Sequence, residues 1–172
     1  MAREREMIAP FEATQVKKGI SFGVSSYGYD FRISDQFLLP KGAKDVPLDP
    51  KNFNQLSWEE KKCDTLLLPA GGYCLARSVE YFKIPRNVLP IVFGKSTYAR
   101  CGVVVNVTPF EPEWEGFVTV SISNCGLQPV KIYANEGIAQ VLFLESDEPC
   151  GVSYADKKGK YQGQKGITGA KI

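Results

Sequence analysis

Three polar segments of this chain carry residue types that could do chemistry. In Gly94-Lys95-Ser96-Thr97-Tyr98-Ala99-Arg100-Cys101-Gly102, a cation, two hydroxyls and an arginine follow a glycine. A glycine turn frees backbone N–H groups, and hydroxyls and cations beside them suit a polyphosphate. The spacing is not GxxxxGK[ST], so this is not that phosphate-binding loop. A plain surface turn is the competing reading. The second segment, Ser25-Ser26-Tyr27-Gly28-Tyr29-Asp30-Phe31-Arg32, is dense in hydroxyls with one acid and one base. The third, Gly159–Thr168, is glycine-rich and too polar to bury itself. It reads as a frayed terminus or as an arm that orders on a ligand.

What is missing narrows the chemistry further. The 172 residues contain no histidine. Ser-His-Asp and Cys-His catalysis and imidazole acid–base steps are therefore excluded. Carboxylates, hydroxyls, amines, guanidinium groups and bound water remain. The five cysteines, Cys63, Cys74, Cys101, Cys125 and Cys150, form no CxxC pair. An odd number without a secretory leader reads as free thiols in a reducing cytoplasm. The net charge of +2 offers no electrostatic footprint for nucleic acid. Apolar runs such as Val103–Val105 are too short to cross a membrane.

The elements that must hold these segments read as strands. Candidates are Phe31–Leu39, Thr65–Leu68, Tyr73–Val79, Val88–Phe93, Val103–Val107, Gly116–Ser123, Val130–Tyr133 and Gly137–Glu145. Turn residues such as Pro69-Ala70-Gly71-Gly72 and Asn135-Glu136-Gly137 separate them. In Phe117–Ser123, Val118, Val120 and Ile122 share one face and Thr119, Ser121 and Ser123 the other. Helices are expected at Glu4–Lys18, interrupted near Pro10, and at Ser57–Lys62, where Ser57 and Glu60 have capping-box spacing. The expected fold class is mainly β, a single barrel or sandwich domain spanning 1–172 with a few short helices.

From Met7 to Thr168 the chain resembles the dCTP deaminases of the dUTPase-like superfamily. The strongest stretch is GKSTYARCGVVVNVTPFEPEWEGFVTVSISN, Gly94–Asn124. SSYGYDFR, ARSVEYFKIPRNVL, YANEGIAQVLF and GKYQGQKGIT also match. The resemblance implies a distorted, jelly-roll-like β-barrel, a homotrimer with sites at subunit interfaces, and zinc-independent conversion of dCTP to dUTP and ammonia. The zinc deaminase pattern H-x-E…P-C-x-x-C is absent here. Mg²⁺ is expected to be carried by the nucleotide's phosphates.

Residue by residue, the resemblance places Lys95, Ser96 and Thr97 at the phosphates, with Ser96 also holding the nucleophilic water. Arg100 falls near the reacting centre. The main chains of Val107 and Thr108 read the pyrimidine, and Glu111 lies near the deoxyribose. Tyr154, Lys160 and Gln164 form a clamp on an arm, 155–172, that closes over the nucleotide. The family's catalytic glutamate, however, falls on Ser121. A serine cannot act as the general base. Related dUTPases carry serine there and activate water with an acid in the preceding segment, where this chain has Glu111. Three functions follow: dCTP deaminase with a substitute base among Glu111, Glu113 and Glu115; dUTP diphosphatase; or a nucleotide-binding homologue with weakened catalysis, including a form that traps substrate. The ligand in each case is dCTP, dUTP or dTTP.

Overall fold

The computed structural model describes residues 1–42, 47–54 and 57–172. Among the described residues, eleven strands and one short helix run in order: β1 (Ile8–Ala9), β2 (Gly23–Ser25), β3 (Gly28–Pro40), β4 (Trp58–Lys62), β5 (Thr65–Leu68), β6 (Tyr73–Lys83), β7 (Val88–Gly94), α1 (Ser96–Ala99), β8 (Val103–Asn106), β9 (Glu115–Asn124), β10 (Val130–Tyr133) and β11 (Gly137–Glu145). All eight expected strands are present, several extended by a few residues.

The main sheet runs β7-β11-β3-β6-β9-β8, with β1, β2 and β4 attached beside this path, while β10 and β5 form a separate pair. β7 and β8 come together where a Cβ on Gly94 would lie 3.3 Å from the Val105 Cβ, so the sheet forms a nearly closed barrel. The inward faces of β6 and β9 supply the core, because alternate residues of a strand point to opposite faces. Cys74, Ala76, Phe82, Val118, Val120 and Ile122 are all buried. Phe31, Ile33 and Phe37 of β3 and Ile138 and Val141 of β11 pack against them. A smaller cluster, Leu38, Trp58 and Leu75, lies apart from this core, with Phe53, Tyr73 and Ile167 packed on it.

Two expectations are corrected. Glu4–Lys18 is not helical: it forms turns, the short strand β1 and a bridge from Val16 to Phe22. Pro10 cannot donate a backbone hydrogen bond and disfavours helix at the residue before it. Burial of Met7 and Ile8 in the core then favours the extended chain, and Ile8 pairs with Phe82. Ser57–Lys62 is likewise not a helix; Trp58–Lys62 pairs with Gln36–Pro40 of β3. A weak local cap loses to an available sheet edge, and the charged Glu59–Lys62 run suits a solvent-facing edge strand.

Candidate active site

A cleft of about 640 Å³ opens beside β9, within the usual range for a small-molecule site. The β8–β9 connection supplies Val107, Thr108 and Glu111 to its wall. Trp114, Val118 and Thr119 follow from the start of β9, and Tyr73 and Leu75 come from β6. The C-terminal segment closes it with Tyr154, Lys160, Tyr161, Gln164 and Thr168. Six expected residues therefore meet here: Val107, Thr108, Glu111, Tyr154, Lys160 and Gln164.

The arm is fastened by specific bonds. Trp114 Nε1 donates to the Tyr161 carbonyl at 2.8 Å, and Tyr161 N donates to the Tyr154 hydroxyl at 2.9 Å. Thr119 Oγ1 bonds Gln164 Oε1 at 3.0 Å and accepts from Thr168 N at 3.0 Å. Gly116, at φ +150°, lies against the arm: a Cβ there would be 2.8 Å from Gln164 N. Arg77 donates to the Lys165 carbonyl while its guanidinium lies over the Phe117 ring.

Glu111 is the one carboxylate on the cleft wall among the described residues, and it is ion-paired to Lys157. Glu113 turns away to Arg86 at 2.8 Å. Glu115 stands opposite Lys83 on β6. Neither lines the cleft.

Lys95, Ser96, Thr97 and Arg100 do not line this cleft. The Lys95 amine pairs with the buried Asp30, whose other oxygen accepts from Gln140 Nε2 at 3.1 Å. Lys95 thus anchors the turn instead of projecting from it. Ser96, Thr97 and Arg100 are exposed, and Arg100 Nη1 donates to the Ser96 carbonyl at 3.0 Å, closing the α1 turn. Buried Tyr98 supports the turn from below, its hydroxyl accepting from Tyr133 N at 3.0 Å.

Ser121 is half-buried and outside the cleft lining. It lies opposite Leu75 and Asn106 on the neighbouring strands, diagonal to Tyr73 on β6. Because Tyr73, Leu75 and Thr119 all line the cleft, Ser121 sits at its margin. Tyr73, Trp114, Tyr161 and Lys157 are site residues that the linear sequence did not single out. Tyr73 and Thr119 reach the same face only through the β6–β9 register.

No three His, Cys, Asp or Glu side chains converge among the described residues, so the donor set does not fit a zinc site. A lone, ion-paired Glu111 does not make a magnesium cage either.

The fold is that of dCTP deaminases and dUTPases. A 2′-deoxycytidine 5′-triphosphate deaminase from Agrobacterium tumefaciens superposes with a TM-score of 0.66 at 12% identity, over 84% of this chain and 45% of that longer one. A dUTPase of a Staphylococcus bacteriophage gives 0.50 at 12% identity, over 94% and 96%. In sequence, residues 1–146 match the model of the dCTP deaminase-like family. A dCTP deaminase of Nitrosospira multiformis is 58% identical over 100% of this chain and 94% of its own. One of Acidobacterium capsulatum is 56% identical over 96% and 91%. The chain belongs to the dCTP deaminase-like family.

Proposed function

We propose that this chain deaminates dCTP to dUTP and ammonia in the cleft beside β9, with Glu111 as general base. The observation that carries the assignment of the base is that, among the described residues, Glu111 alone presents a carboxylate to that cleft. Water attacks C4 of the pyrimidine while Glu111 takes its proton. Glu111 delivers that proton to N3, then takes the proton of the new C4 hydroxyl to the exocyclic amine; the C4–N bond breaks, ammonia leaves, and C4 becomes an oxo carbon. The Lys157–Glu111 pair is half-exposed and worth little by itself. A bound triphosphate gives Lys157 another anion and frees Glu111. Mg²⁺ arrives on the phosphates.

Ser96, Thr97 and Arg100 enter this reading through a second copy of the chain. They are exposed and stand apart from the cleft. The strand leading into their turn carries exposed Leu89 and Phe93, and Leu144 lies opposite Leu89. An apolar stripe continuous with a polar turn suits a subunit contact that delivers the turn to a neighbour's cleft. A homotrimer closes three such sites.

Hydrolysis of dUTP to dUMP and pyrophosphate is the second reading, favoured by Ser121 at the cleft margin with Glu111 on its wall. Incubation with Mg²⁺ and dCTP or dUTP decides between them. Ammonia from dCTP is expected, and Glu111→Gln should lower it by about 10²–10⁴. Pyrophosphate from dUTP without ammonia from dCTP would favour the second reading.

A further inference from the structure

We propose that Arg86 is a positioning residue for this cleft: its guanidinium clasps the turn that carries Glu111 to the root of the C-terminal arm, and so sets Glu111 and Lys157 against each other. This rests on the reading of Glu111 as the base. Arg86 lies in the β6–β7 connection and does not line the cleft. Its Nη1 donates to Glu113 Oε2 at 2.8 Å. Its Nη2 donates to Asp156 Oδ2 at 2.6 Å and to the Gly151 carbonyl at 3.2 Å, and its Nε donates to the Cys150 carbonyl at 3.1 Å. One planar fork thus joins three stretches of chain, a task that the single ammonium of a lysine cannot match.

Both carboxylates in its grip govern residues of the site. Glu113 belongs to a turn that Trp114 N closes by donating to the Glu111 carbonyl at 3.0 Å. It stands at φ 63°, a left-handed conformation that a non-glycine residue keeps only where its surroundings impose it. Here the Ile84 carbonyl takes its N–H at 3.0 Å and Arg86 takes its carboxylate, so backbone and side chain are both pinned. On the arm, Asp156 Oδ2 also accepts from Ser153 N at 3.0 Å, and Ser153 is fully buried. That N–H and the guanidinium hold the Asp156 carboxyl below its usual range, so it faces Arg86 ionised at neutral pH. Lys157 N donates to the Ser153 carbonyl at 3.1 Å, and Tyr154 N to the Pro112 carbonyl at 2.9 Å. Tyr154 thereby reaches the cleft wall and Lys157 reaches Glu111.

Two measurements test the clasp. The first is trypsin cleavage of the ligand-free protein at Lys157, Lys158 and Lys160, beside the thermal midpoint. Arg86→Lys should speed this cleavage severalfold with the midpoint little changed, since the three side chains of the clasp are part-exposed. Asp156→Asn should do the same, and serves if Arg86→Lys folds poorly. The second is steady-state ammonia release from dCTP with Mg²⁺. Asp156→Asn loosens the arm alone and should raise KM roughly 2–5-fold, the worth of one exposed ion pair, with kcat little changed. Arg86→Lys loosens both sides and should also lower kcat about 10-fold, within the ~10²-fold that a misplacement of about 1 Å can cost. Adding Asp156→Asn to Arg86→Lys should raise KM no further, because both act on one contact. Unaltered cleavage in both variants would overturn the proposal whatever the substrate. So would unaltered KM and kcat in Arg86→Lys, or losses that only parallel a fall in thermal midpoint. Faster cleavage in a protein that turns over neither dCTP nor dUTP would uphold the clasp and overturn the functional reading.

Discussion

Ser121 shows how a single side chain can be placed by pattern and still have its surroundings decided elsewhere. The alternation of β9 puts Val118, Val120 and Ile122 in the core and Ser121 on the opposite face, as the sequence alone implies. What stands beside Ser121 depends on β6, whose register puts Leu75 opposite it and Tyr73 diagonal to it. A glutamate at this position would stand at the margin of the cleft, beside Leu75 and Thr119 of its lining. Ser121→Glu should therefore raise ammonia release from dCTP, by up to about 10²–10⁴ if it supplies the base. Unchanged turnover in that variant, with loss in Glu111→Gln, would leave Glu111 as the sole base. Glu80 carries the opposite kind of constraint. It is fully buried, accepting from Arg32 N at 2.9 Å and Arg32 Nε at 2.8 Å. Burial pushes its carboxyl above the usual range, and Arg32 opposes that push. Glu80→Ala strands the guanidinium and should cost about 3–5 kcal/mol in chemical denaturation.

At the scale of elements, the α1 turn and the C-terminal arm are held by different means. The turn rests on Tyr98, whose burial pushes its hydroxyl from the usual 10 up to about 12. The raised value means that the folded state binds this proton more tightly than the unfolded one. The corresponding stability is complete below pH 10 and is lost as pH rises toward 12. Ultraviolet titration of the tyrosines should show Tyr98 among the last to ionise, with Tyr29, also near 12. Tyr98→Phe should remove its share of this alkaline loss. The arm rests on a few hydrogen bonds at the cleft and on Ile167, which packs on the small Trp58 cluster. Removing the chain after Gly159 should weaken nucleotide binding severalfold, since Lys160 and Gln164 leave with it. Thermal stability should fall only modestly, because none of the main buried core lies beyond that point. A collapse of the melting transition would show that the arm is part of the core.

For the whole molecule, the proposal that the Ser96–Arg100 turn serves a neighbouring subunit's Glu111 cleft is open to direct test. A mixing experiment tests it. Arg100→Ala and Glu111→Gln should each be inactive alone. Subunits exchanged from an equal mixture should regain activity at about a quarter of the sites, as random assembly of a shared site requires. No recovery after verified exchange would mean that each chain completes its own site.

Periodicity and turn residues alone determined the strands and their inward faces, because alternation is a local property of a strand. The resemblance of Gly94–Asn124 to its family singled out Val107, Thr108 and Glu111, which the fold brings to one cleft wall. The absence of histidine limited the chemistry to carboxylates, hydroxyls, amines, guanidinium groups and water. Local signals failed at Glu4–Lys18 and Ser57–Lys62, where long-range pairing with β6 and β3 outweighed them. Only the tertiary structure decided that Lys95 is spent on Asp30, that Glu111 faces the cleft while Glu113 and Glu115 do not, and that Tyr73 joins the cleft wall. Each of these depends on strand register and loop path, which bring together residues far apart in the chain and leave no trace in local spacing.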